Sequence, residues 1–137
     1  MPGVGRTFIV FGRALRFRCP NCGRGKVLAP FSVTHWAAVR ERCDVCNLRF
    51  DRGDGDYFFS GARFSNLLIA ELLFAVGFVW IFLATYPNVP WDGLMYGGAA
   101  AMVLSPILLY PFSKVLWLAL DTLVRPVTPD ELVRAPA

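Results

Sequence analysis

The chain has 137 residues, of which 55% are hydrophobic, and a formal net charge of +4. Its mean hydropathy is +0.47, and its apolar share exceeds the roughly 45–50% of an ordinary globular domain. This argues against a simple soluble domain and for membrane-spanning segments. The charge is unevenly placed. Residues 1–63 carry eleven of the fourteen Lys and Arg against five acids, residues 64–113 carry only Glu71 and Asp92, and the tail from Lys114 balances three bases against three acids.

Residues 1–17 form a basic arm. "MPGVGRTFIVFGRALRFR" does not read as a signal peptide, because Arg13 and Arg16 interrupt a short apolar run and no small-residue cleavage site follows. Two readings stand: Phe8, Phe11 and Leu15 share one face of a short helix resting on anionic lipid, or the arm is mobile.

Residues 18–63 form the head and its linker. Cys19, Cys22, Cys43 and Cys46 give the spacing C-x2-C-x20-C-x2-C, which is that of a four-cysteine metal site in a small zinc ribbon. Each C-x2-C sets two thiolates on a tight turn, and two turns complete a tetrahedron. Gly23 and Asn47, which follow the pairs, are residue types that tolerate the left-handed backbone such a turn needs. Two disulfides are the competing reading, but the head is expected on the cytoplasmic side, where thiols stay reduced. Zinc is the expected ion. Iron is the alternative, because "CPNCGRGKV" and "CNLRFDRGDGD" each look like half of a rubredoxin site, in reverse order. Four cysteines close the coordination sphere, so the ion is expected to be structural, stabilising a head too small to fold by burial alone.

No catalytic set stands beside the cysteines. His35, the one histidine, reads as a surface or packing residue, and neither a nucleophile motif nor a phosphate loop is present. The expectation is a protein that is not an enzyme. Asp51, Asp54 and Asp56 alternate as in part of a calcium loop, but the distal glutamate is missing, and a glycine-rich turn is the preferred reading. Tyr57, Phe58 and Phe59 suit a membrane interface.

Residues 64–113 read as a transmembrane hairpin with spans over 64–86 and 94–113. The first, "FSNLLIAELLFAVGFVWIFLATY", would reach about 34 Å at 1.5 Å per residue, enough for a hydrocarbon core of roughly 30 Å. "PNVPWDG" turns the chain. The second span carries Gly97, Gly98 and Ala99 to Ala101, suited to close helix contact, and Pro106 and Pro111, which predict a kink. Glu71 lies two turns inside the first span. It is either a carboxyl bonded to the second helix, with Tyr110, Ser105 or Lys114 at the right depth, or part of a proton or ion pathway. In residues 114–137, Leu116, Leu120 and Leu123 predict an amphipathic face. This segment either prolongs the second span or lies along the interface. Arg63 and Lys114 flank the hairpin while its loop has no Lys or Arg, which places both termini and the metal head in the cytoplasm.

The order of "RCPNCGRGKV", "CDVCNLRF", "DRGDGDYFFSGARFSN", a first span, a proline-rich loop and a second span ending "YPFSKVLWLAL" resembles a bacterial membrane family, domain of unknown function 983, over about residues 12–120. Asn47 departs from the glycine usual there, and Tyr110 from an expected basic residue. The resemblance implies a multi-pass protein of the bacterial inner membrane and, by association, a role in building or attaching to a respiratory complex. The fold expected is therefore a four-cysteine ribbon of short β-hairpins followed by a two-span α-helical hairpin. The expected function is an adaptor or accessory subunit that sits in the lipid bilayer and docks another membrane protein or complex. A membrane-tethered iron electron carrier is the alternative. Nucleic acid binding, prompted by Arg13, Arg16, Arg18, Arg24, Lys26, Arg40 and Arg42, comes third, since bases beside a span are already explained by topology.

Overall fold

Long apolar runs should form helices whose surfaces need a non-aqueous neighbour, and two dominate the structure. The computed structural model describes residues 4–53 and 57–132. Its helices are α1 (Val4–Leu15), α2 (Ser60–Thr85), α3 (Trp91–Val124) and α4 (Pro129–Leu132). α2 has 26 residues and α3 has 34, and both are long and apolar enough to cross a membrane. Only 6% of the most apolar stretch of α2 is buried within the protein, unlike the mostly buried core helix of a soluble fold. The hydroxyls of Ser65 and Thr85 donate back to the Gly61 and Ile81 carbonyls, each at 2.8 Å, and so hide their polarity inside the helix.

The turn between the helices is shorter than "PNVPWDG" suggests. Tyr86–Pro87 is a cis bond and α3 already begins at Trp91, placing Asp92 in its first turn, where a carboxylate complements the positive end of the helix dipole. α3 then stays helical through Pro106 and Pro111 and on to Val124. At 1.5 Å per residue it is about 51 Å long, some 20 Å more than a hydrocarbon core requires. Residues 114–124 thus prolong the second span.

One buried polar cluster ties the two long helices together. Asn66 Nδ2 donates to the Pro106 carbonyl at 2.8 Å, in the turn that the Pro111 ring disturbs. Ser113 Oγ donates to Asn66 Oδ1 at 2.9 Å. Asn66 is 5% exposed. Asn66→Leu should weaken the hairpin by about 1 to 2 kcal/mol, in the range of polar contacts between membrane helices. The check is the unfolding midpoint in detergent, with Asn66→Gln as the partial rescue.

The head is built on the far end of α3. The expected stripe of Leu116, Leu120 and Leu123 is only partly right: Leu120 is exposed, and the buried face is Val115, Leu118, Ala119, Thr122 and Leu123. The helix docks by its smaller side chains because the head covers that face. Val27, Leu48, Phe50, Phe58 and two of the cysteines share one core with it. Phe58 therefore points into protein rather than into the membrane interface, while Tyr57 is exposed.

α1 packs on α3 through Val10 and Ala14, with Phe11 beside them. The arm is thus an ordered helix. Of the expected lipid face, Phe8 and Leu15 remain exposed while Phe11 is drawn inward.

Candidate metal centre

Each cysteine pair rides on a turn fixed by the residue after it. Gly23 has φ +72° and Asn47 φ +61°, the left-handed conformation that glycine and asparagine accept most readily. The turns close through Gly23 N–H to the Cys19 carbonyl at 2.8 Å and Asn47 N–H to the Cys43 carbonyl at 3.0 Å. Single antiparallel bridges, Arg18 to Lys26 and Arg42 to Arg49, bracket the two turns, and a third joins Leu28 to Val39. Among the described residues no strand grows from them, so the expected β-hairpins appear only as isolated bridges. Pro20 and Pro30 each lack the N–H that a ladder would use there.

The four sulfurs converge. All lie within 4.8 Å of one another, and the edges crossing between the turns, Cys19 to Cys46 and Cys22 to Cys43, are each 3.7 Å. A tetrahedron with metal–sulfur arms of about 2.3 Å has edges of about 3.8 Å, so the set fits one tetrathiolate ion. No pair is bonded, and crossing edges of 3.7 Å, against about 2.05 Å for an S–S bond, favour a tetrathiolate over two disulfides. The Arg24 amide donates to Cys22 Sγ at 3.5 Å, the kind of outer contact that steadies a bound thiolate.

Burial pushes the Cys19 and Cys43 thiols up. At Cys22 burial also works upward, but the Gly25 and Arg24 amides and the Cys43 and Cys46 side chains outweigh it and bring the thiol down to about 7. That sulfur is thus about half ionised at neutral pH, while the buried ones must shed protons as the metal enters.

Gly25 is a residue that the spacing argument missed. A Cβ there would overlap Cys43 Sγ and come within 2.6 Å of Asp44 Oδ1. The chain passes behind the second turn only because no side chain is present. Its one sequence signal is that it is the second glycine of "CGRGK".

The second missed element is Arg52. Its side chain is 3% exposed and bridges Asp121 on α3 at 2.9 Å and Glu131 on α4 at 2.9 Å. It also donates to the Arg125 carbonyl at 2.8 Å and, through Nε, to Glu131 Oε1 at 3.1 Å. Asn47 Nδ2 adds a bond to the Leu132 carbonyl at 3.0 Å. The tail is thereby clamped over the second cysteine turn. In the sequence, Arg52 sits among Asp51, Asp54 and Asp56, and nothing local marks its partners 69 and 79 residues away.

Burial works upward on Glu131, but the Arg52 hydrogen bond and charge, with the Thr128 amide, hold its carboxyl below the ordinary value of 4.5. A depressed folded-state pKa means that this stabilisation is complete above the unfolded pKa and lost as pH falls through the folded one. Amide exchange at residues 128–132 should therefore accelerate as pH drops below the ordinary glutamate range, after correction for intrinsic exchange, and Glu131→Gln should flatten that dependence.

Other expected residues fall elsewhere. His35 is exposed, with Nδ1 2.9 Å from Thr34 Oγ1. Asp54 and Asp56 lie outside the described residues, while Asp51 Oδ1 accepts a turn bond from Gly53 N–H at 3.4 Å. Glu71 meets none of its expected partners: Lys114 Nζ donates to the Ala37 carbonyl at 2.9 Å and lies over the Tyr110 ring. Ser105 only shares with Glu71 a cavity of about 150 Å³. Asn66 makes the interhelical bond expected of Glu71.

These features define a protein with two membrane-capable helices and a four-cysteine metal site set on the end of one of them. A family profile described as protein of unknown function (DUF983) matches residues 33–121, and the chain belongs to that family. The matched region holds the second cysteine pair and both long helices up to Asp121. It begins after Cys19 and Cys22, so of the motifs that carry the resemblance it leaves out only the first, "RCPNCGRGKV". No curated protein and no solved structure matches the chain.

Proposed function

We propose that the protein is an integral membrane adaptor of the bacterial inner membrane, with a structural zinc centre on the cytoplasmic side, that docks another membrane protein or complex. The observation that carries this reading is Glu71. Its side chain is exposed on α2, about 12 Å along the helix from Arg63, with no hydrogen bond or ion pair among the described residues. A carboxyl at such a depth is costly against lipid and normally finds a donor. A neighbouring helix presenting one would cover it. The closed tetrathiolate supports a structural rather than a catalytic head, and the absence of Lys and Arg from the loop supports the cytoplasmic placement.

The test is affinity purification from native membranes in mild detergent, with metal measured on the same sample. A stoichiometric membrane partner and one zinc per chain are expected. Glu71→Leu should reduce recovery of the partner and leave the metal in place. A lone monomer in several mild detergents would sink the adaptor reading. A red, iron-loaded protein would replace it with an electron carrier.

A further inference from the structure

The basic residues of the head divide into two sets. Arg13 donates to the Pro20 and Asn21 carbonyls at 3.1 and 2.7 Å, Arg18 to the Arg24 carbonyl at 2.7 Å and Arg42 to the Asn47 carbonyl at 3.3 Å. These shape the two turns. Arg16 and Lys26 are exposed, and their side chains have no hydrogen-bonding or ionic partner among the described residues. Both line an open cavity of about 420 Å³ with Arg18 and Arg40, against Phe17, Leu28 and Phe31. The lining holds four cations and no carboxylate; Arg40 is partly engaged, donating through Nε to the Leu28 carbonyl at 3.2 Å and meeting Asp44 at 3.4 Å.

The position of the cavity selects its ligand. Phe17 sits at φ +54°, an unfavourable conformation for a bulky residue, with its ring tilted against Phe112, centroids 4.6 Å apart. On the following chain, Trp36 meets Tyr110 at 6.4 Å. Residues 110–114 of α3 are where the charge-free span ends and Lys114 begins, so the cavity lies at the level of the lipid headgroups. Phe31, at its edge, is 82% exposed, and Val33 is 86% exposed. Cations grouped beside exposed apolar side chains at that level suit a molecule with a phosphate at one end and an acyl chain at the other.

We propose that this cavity is a binding site for the headgroup phosphate of an anionic glycerophospholipid, held by Arg16 and Lys26 with Arg18 and Arg40 behind them. The acyl chains run beside Phe31. The site is independent of any protein partner, and it orients the metal head against the bilayer surface.

Native mass spectrometry of the full, metal-loaded, delipidated chain titrated with phosphatidylglycerol or phosphatidylcholine tests it. Phosphatidylglycerol adducts should form at roughly tenfold lower lipid concentration, and Arg16→Gln/Lys26→Gln should abolish the preference while metal content and unfolding midpoint stay unchanged. The charge-keeping pair Arg16→Lys/Lys26→Arg should retain it, which separates lost charge from lost fold. Equal binding of the two lipids, or a preference that survives the glutamine pair, overturns the proposal. So does displacement of the lipid by millimolar inorganic phosphate, which would assign the site to a soluble phosphate. Tighter binding of a DNA oligonucleotide at the same residues would assign it to nucleic acid.

Discussion

Removing the metal, or replacing Cys43 by serine, is expected to open the head and to loosen the last three turns of α3 with it. In small modules a structural four-ligand zinc supplies on the order of 10 kcal/mol of folding free energy. Here the centre also holds in register the two turns whose neighbours, Val27, Leu48 and Phe50, pack on Val115, Leu118 and Ala119. Hydrogen exchange on chelator-treated protein should therefore rise steeply at residues 115–123 and change little at residues 67–83, where the bilayer or detergent preserves the helix. Re-adding one equivalent of metal should restore protection. Protection at 115–123 that survives complete metal loss would mean that the core holds without the ion. Metal retention should also fall on acidification, since protons compete with the ion for the four thiolates.

Arg52→Met is the second large effect, expected at about 3 to 5 kcal/mol, the cost of removing one partner from a buried ion pair. The Asp121 side chain is 11% exposed and would lose its buried cation, keeping only Arg125, whose own side chain is 55% exposed. Glu131, at 31% exposed, can rehydrate, so most of the loss falls on Asp121. Lysine should not rescue, because the guanidinium uses Nε and both terminal nitrogens on different acceptors. Arg52→Met/Asp121→Leu should recover much of the stability, since an apolar pair removes the uncompensated charge. Chemical unfolding in detergent, followed by near-ultraviolet circular dichroism of the head, gives all three values. A loss under 1 kcal/mol for the single variant would show that water reaches the pair freely.

What could be read from the chain beforehand follows from the range over which each signal acts. The four cysteines and their turns were legible because ligand spacing and the left-handed residues Gly23 and Asn47 are local requirements. The two long helices were legible because twenty apolar residues have few other uses. The association between head and helix was not. Val115, Leu118 and Ala119 become a core face only when the cysteine turns arrive from some seventy to a hundred residues earlier, so a leucine pattern pointed to the wrong stripe. Arg52 was hidden for the same reason, its partners being decided by packing. Asn66 was overshadowed by the charged Glu71, yet a neutral amide that can both donate and accept suits an interhelical contact better than a carboxylate does.

The 34 continuous residues of α3 also have a mechanical meaning. The helix is continuous through Pro106 and Pro111 from the apolar stretch to the stretch on which the cysteine head packs, so the overhang beyond Lys114, about 16 Å, behaves as a lever arm. When a change in bilayer thickness tips the rod by about 10°, the far end sweeps sideways by about 3 Å and takes the ion-binding cap with it. Inclination in the lipid is thereby converted into displacement at the surface.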